Sequence, residues 1–108
     1  MNTKQGQPWS FTIEFDETKA IRNGYDPETL YDYVSRNVEP LGNERIARGT
    51  WKAKANDEVE SQCLAISMLS KAKWVMQNVK SMTAFEDDPE GFDCLEAIRS
   101  ANPERVYA

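Results

Sequence analysis

Residues 9–16, Trp9-Ser10-Phe11-Thr12-Ile13-Glu14-Phe15-Asp16, place an apolar side chain at every odd position and a polar one at every even position. Side chains of an extended strand point alternately to its two faces, so this run predicts a half-buried strand. Trp9, Phe11, Ile13 and Phe15 then commit one face to a core. Ser10, Thr12 and Glu14 meet water or a polar partner on the other. Whatever the rest of the chain forms has to cover that apolar face.

The material for a cover is present. The chain has 108 residues, 40% of them hydrophobic, with three Trp, four Tyr and four Phe. One domain is expected, burying roughly 60–70% of the surface of its unfolded chain. Residues 1–8 are expected as a flexible polar leader, 9–99 as the core and 103–108 as a tail. This composition excludes wholesale disorder, collagen-like repeats and a disulfide-stapled miniprotein. No apolar run approaches the ~20 residues of a membrane span, and Met1 to Pro8 lacks the apolar segment of a secretory signal. A cytoplasmic protein without a membrane partner is the expectation.

After a polar stretch with a turn at Asn23-Gly24, Asp26 is set to cap a helix, with Pro27 at its first position and Glu28 in its first turn. Tyr25 and Leu30 stand where a hydrophobic staple would. Leu30, Tyr33, Val34 and Val38 give the buried stripe, which leaves Tyr31 off it. An exposed Tyr31 is either ordinary surface or an anchor for an interface. Glu39-Pro40-Leu41-Gly42 ends the helix.

Arg45 to Lys54 is expected as a second strand, with Ala47, Gly49, Trp51 and Ala53 on one face and Arg48, Thr50, Lys52 and Lys54 on the other. Ile46 breaks that parity, which a bulge near Gly49 would explain. Ala55-Asn56-Asp57 is a turn short enough for a hairpin. Glu58 to Leu69 is therefore favoured as a third strand, with Leu64, Ile66 and Met68 inward and Lys52 and Lys54 near Glu58 and Glu60. The alternative is a helix capped by Asp57, with Val59, Cys63 and Ile66 on one side. Ser70 can cap a short helix carrying Trp74, Val75, Met76 and Val79, and Ser81 to Glu86 is expected as a fourth strand. Asp88-Pro89-Glu90 repeats the capping arrangement ahead of a third helix bearing Phe92, Leu95 and Ile98, which Asn102-Pro103 closes.

The order β-α-β-β-α-β with an extra C-terminal helix is that of the ferredoxin-like, split-βαβ arrangement, an α+β antiparallel sheet with helices on one face. Such a fold hosts unrelated functions, so function has to be argued from particular residues.

The chain contains no histidine. That removes the commonest general base, the commonest metal ligand, and the Ser-His and Cys-His nucleophile pairs. Cys63 and Cys94 fall short of a four-ligand zinc site and are expected as small reduced core residues, with a disulfide or redox pair as the alternative. No glycine-rich phosphate loop occurs. No cofactor, metal or catalytic residue is nominated; an enzyme would have to work with carboxylates, Lys, Arg or Tyr.

Glu86, Asp87, Asp88, Glu90 and Asp93 form the densest charge cluster. Asp88, Glu90 and Asp93 suit the cap and first turn of a helix. Glu86 and Asp87 exceed that need, which makes the cluster a candidate docking surface for a basic partner. Its spacing does not fit a calcium loop. The opposite charge, Arg45, Arg48, Lys52 and Lys54, invites comparison with RNA-binding sheets. With a net charge of −5 and its aromatics on the covered face, the chain is expected to bind no nucleic acid, and those cations belong to a solvated strand face. Trp9, Trp51 and Trp74 either pack in the core or line a ligand pocket. If Glu58 to Leu69 is a strand, Cys63, Ala65 and Ser67 make a smooth open sheet face. That face would suit a partner, a second copy in a homodimer, or the chain's own C-terminal helix.

The expected function is a non-catalytic protein-interaction or regulatory module. The alternative is a small-ligand-binding domain or cofactor-independent enzyme with an aromatic-lined pocket.

Overall fold

Strand β1 (Ser10–Phe15) keeps the expected period at Phe11, Ile13 and Phe15, which are buried, while Glu14 is exposed on the other face. Trp9, expected on the buried face too, lies ahead of the strand and is only half-buried. The computed structural model describes residues 9–53, 58–85, 90–101 and 103. The remaining strands are β2 (Asn43–Ala47), β3 (Thr50–Ala53), β4 (Val79–Phe85) and β5 (Phe92–Asp93). Together they form an α+β fold with one antiparallel sheet in the order β2-β3-β1-β4-β5. Helices α1 (Glu17–Arg22), α2 (Pro27–Val38), α3 (Glu58–Lys71), α4 (Lys73–Met76) and α5 (Cys94–Ala101) complete it.

The register puts like with like. Phe11 stands opposite Trp51 and Ala84, and Ile13 opposite Met82, all on the buried face. The Phe11 and Trp51 rings stack at 5.6 Å, and the Trp51 indole N–H donates to the Ser35 hydroxyl at 3.1 Å. Leu30, Val34 and Val38 of α2, Ala65 and Leu69 of α3, Val75 and Met76 of α4, and Cys94 and Leu95 of α5 join the same core. On the other face, Ser10, Thr12 and Glu14 pair with Lys52, Thr50, Phe85, Thr83 and Ser81, and the Thr12 and Thr50 hydroxyls bond at 2.9 Å.

Helix α2 forms as its caps predict: Asp26 accepts the Glu28 N–H and Pro27 opens the helix. Its buried stripe is wider than expected and takes in Tyr31, 3% exposed, whereas Tyr33 faces outward. Helix α1 was not anticipated in the polar stretch after β1. Asp16 caps it by accepting the Lys19 N–H at 3.0 Å.

Two readings of the middle of the chain are corrected. The expected second strand, Arg45 to Lys54, is the hairpin β2-β3, turning at Arg48-Gly49. The parity break at Ile46 is the register shift between Arg45 and Ala47. Lys52 faces Glu44 across the hairpin; Lys54 lies outside the described residues. The favoured third strand, Glu58 to Leu69, is helix α3. At 14 residues it exceeds the usual 3–10 of a strand, and it is rich in Glu, Gln, Leu, Ala and Met, which favour helix. Its burial falls on Ser61, Gln62, Ala65 and Leu69, a helical spacing, while Leu64 is 47% exposed. Buried Gln62 donates to the Ser10 carbonyl at 2.8 Å and reaches that of Phe85 at 3.4 Å. A polar residue facing in and a leucine facing out blur the apolar period.

The C-terminal part shifts as well. Ser70 lies inside α3 and donates to the Ser67 carbonyl, so it caps nothing. The short helix that follows it is α4. Strand β4 begins two residues ahead of the expected Ser81 start, at Val79. The last helix begins at Cys94, capped by Asp93, which accepts the Glu96 N–H at 2.9 Å. Phe92 therefore does not help bury the helix; it lies in β5 and is 57% exposed.

Candidate functional site

Where β1 ends, its pairing with β4 slips between Glu14 and Phe15. The Phe15 N–H is met by the Tyr31 hydroxyl, which accepts it at 3.0 Å from α2. The two rings meet edge to face at 5.0 Å. One residue on, the Asp16 N–H donates to the Asn78 carbonyl at 2.8 Å and its carboxylate caps α1. Chain reversal at this point sets Glu14, Asp16, Glu17 and Thr18 around the buried rings of Phe15 and Tyr31.

The β2-β3 turn closes over the same spot. The Gly49 carbonyl accepts the Ile13 N–H at 2.8 Å. A β-carbon on Gly49 would lie 2.4 Å from the Ile13 carbonyl oxygen and 2.9 Å from Tyr31 Cε1, so only glycine lets the turn come this close. Arg48 then lies with its guanidinium carbon 4.4 Å from the Tyr31 ring centre. Its Nε donates to Glu28 at 2.7 Å, and a terminal nitrogen reaches Glu17 at 3.4 Å. The bond to Glu28 is the main reason the Arg48 pKa is raised above its ordinary value. From β4, Lys80 approaches Glu14 at 3.7 Å.

These residues enclose an open cleft of about 300 Å³, lined by Glu14, Phe15, Asp16, Glu17, Thr18, Tyr31, Arg48 and Lys80. Three carboxylates face two cations over an aromatic floor. The arrangement can hold charge and stack a planar cation. Its lining pairs no thiol or serine with a base.

The residues nominated from sequence fall elsewhere. Cys63, Ala65 and Ser67 sit on α3, so they do not form the face of a sheet as expected. Ala65 is fully buried, whereas Cys63 and Ser67 are exposed. Cys63 is thus no core residue, whereas Cys94 is buried. Of the acidic cluster, Glu90 and Asp93 are exposed, and Asp93 serves as a cap; Glu86, Asp87 and Asp88 lie outside the described residues. The three tryptophans do not share the cleft: Trp51 is core, half-buried Trp74 meets Tyr33 edge to face at 5.9 Å, and the Trp9 carbonyl accepts the Ala53 N–H.

Sequence reasoning missed Tyr31, Glu17 and Glu28 as partners of Arg48. The parity break at Ile46 was the usable signal, since a turn there brings Arg48-Gly49 to a hairpin tip. Among the described residues no group of metal-ligating side chains comes together, and no helix is long and apolar enough to cross a membrane. No protein-family model and no curated protein matches the chain.

Proposed function

We propose that the chain is a non-catalytic protein-interaction module that docks a partner through the charged cleft at the end of β1. The observation that carries this reading is the lining itself, in which exposed carboxylates and cations converge on buried aromatic rings. Exposed ion pairs contribute only ~0–1 kcal/mol each. They can be exchanged for contacts with a partner at little cost, and charged rims steer encounter. The strand order β2-β3-β1-β4 supports reading the fold as ferredoxin-like, with β5 added at one edge. Exposed Cys63 suits a reducing compartment such as the cytoplasm. The acidic stretch Glu86, Asp87, Asp88, Glu90 and Asp93 is a second docking surface in this reading.

The test is affinity capture with the intact chain beside a Glu14→Lys, Glu17→Lys double variant that keeps its thermal midpoint. A partner held by the first and lost from the second supports docking at the cleft. A partner held equally by both moves docking elsewhere, with the acidic stretch next to be changed. A second reading, binding of a small charged ligand, is favoured by the cleft's volume, which sits at the lower end of the ~300–1,000 Å³ of ligand sites.

A further inference from the structure

We infer that Arg48 is the in-chain occupant of a cation-binding cup, and that the partner docks by putting an arginine of a basic segment in its place. This rests on the docking reading above. The cup has a floor, the Tyr31 ring, and two walls, Glu28 and Glu17, contributed by separate helices. Its floor is set without help from Arg48: Tyr31 is held by the Phe15 N–H and the edge of the Phe15 ring. A guanidinium stacks flat on an aromatic face while forking to carboxylates, which an ammonium does less well.

The occupant is open to solvent. The Arg48 side chain is 48% exposed, and Glu17 and Glu28 are more so. Its hydrogen bonds go to those two carboxylates on other elements. Arg45 offers the contrast: it is bound to the hairpin's own Ala47 and Arg48 carbonyls as well as to Asp32, so it belongs to the fold. When Arg48 swings out, the lining keeps the carboxylates of Glu14, Asp16 and Glu17 against the single cation Lys80, and Glu28 loses its partner as well. That charge imbalance selects a basic segment, and the adjoining cleft of about 300 Å³ has room for residues flanking the incoming arginine.

The experiment titrates the ¹⁵N-labelled full chain with the peptide acetyl-Gly-Arg-Arg-Gly-amide and with its lysine counterpart. With its occupant removed, Arg48→Ala should bind the arginine peptide roughly tenfold more tightly than the parent. The amides of Phe15, Glu17 and Glu28 should shift, and the lysine peptide should bind more weakly. Adding Glu28→Gln should abolish the gain. Arg48→Lys keeps the charge but loses the fork, and should show a smaller gain; it carries the comparison if Arg48→Ala loses its amide dispersion. Equal affinity of parent and variant, with shifts at the cleft, overturns self-occupancy while leaving docking there intact. No shift of these amides in any of the proteins overturns both. A gain that survives Glu28→Gln overturns the cup.

Discussion

At Gly49 the absence of a side chain decides where a charge ends up. The turn can rest on the Ile13 carbonyl and the Tyr31 ring only without a β-carbon, and this rest point aims Arg48 at Tyr31. Gly49→Ala should therefore cost about 1–3 kcal/mol, as overpacking usually does. It should also move Arg48 off the ring. A urea midpoint equal to the parent's would show that the hairpin yields freely. Tyr31 is tested by removing one atom. In Tyr31→Phe the buried Phe15 N–H loses its acceptor, at an expected cost of about 1–3 kcal/mol. Amide exchange at Phe15 should quicken along with the loss of stability; slow exchange and an unchanged midpoint would mean that the hydroxyl is dispensable. Tyr31 was misjudged from sequence because a stripe drawn at three- and four-residue steps passes one position beside it. The sheet it meets is broad enough to bury both flanks of α2.

The elements differ in how openly their sequences declare them. Strand β1 and helix α2 do so through strict alternation and through the Asp26-Pro27-Glu28 start, both local devices. Helix α3 does not, because Gln62 is buried on two strand-end carbonyls while Leu64 faces out. A pair of arginine substitutions separates helix from strand. Ala65→Arg forces a charge into a closed core position and should destabilise by on the order of 4 kcal/mol or more. Leu64→Arg, on the exposed side, should stay within about 1 kcal/mol of the parent. The strand reading demands the reverse order, so thermal melts of the two variants decide between them. For α5, Asp93→Ala removes the cap and should cost about 1 kcal/mol. No loss in guanidinium melts would mean that the helix starts independently of Asp93.

For the molecule as a whole, the lack of histidine and the scatter of the two thiols lead to an expectation of metal independence. Excess EDTA should leave the thermal midpoint where it was. A fall of several degrees, reversed by calcium or zinc, would point to the acidic stretch from Glu86 to Asp93 or to the cysteines. Apart from Phe85, the open sheet face carries polar side chains: Ser10, Thr12, Glu14, Thr50, Lys52, Ser81 and Thr83. Side chains of this kind suit water. The case for association through that face, drawn from Cys63, Ala65 and Ser67, falls with the strand that would have displayed them.

The amino-acid sequence by itself determined the mixed α+β class, the buried face of β1, the capped start of α2 and the absence of histidine chemistry. Each is a property of neighbouring residues or of composition, so no knowledge of distant contacts was needed. Tertiary structure decided that residues 58–69 are helical, that Arg45 to Lys54 folds in two, and that Arg48 meets Tyr31, Glu17 and Glu28. Those outcomes depend on groups far apart in the chain. Gln62 finds its acceptors on β1 and β4, and Gly49 finds the gap between Ile13 and Tyr31. Hydrogen bonds and close approaches of this range leave no period in the sequence. The cleft is made almost entirely of them, and became visible only once the chain was folded.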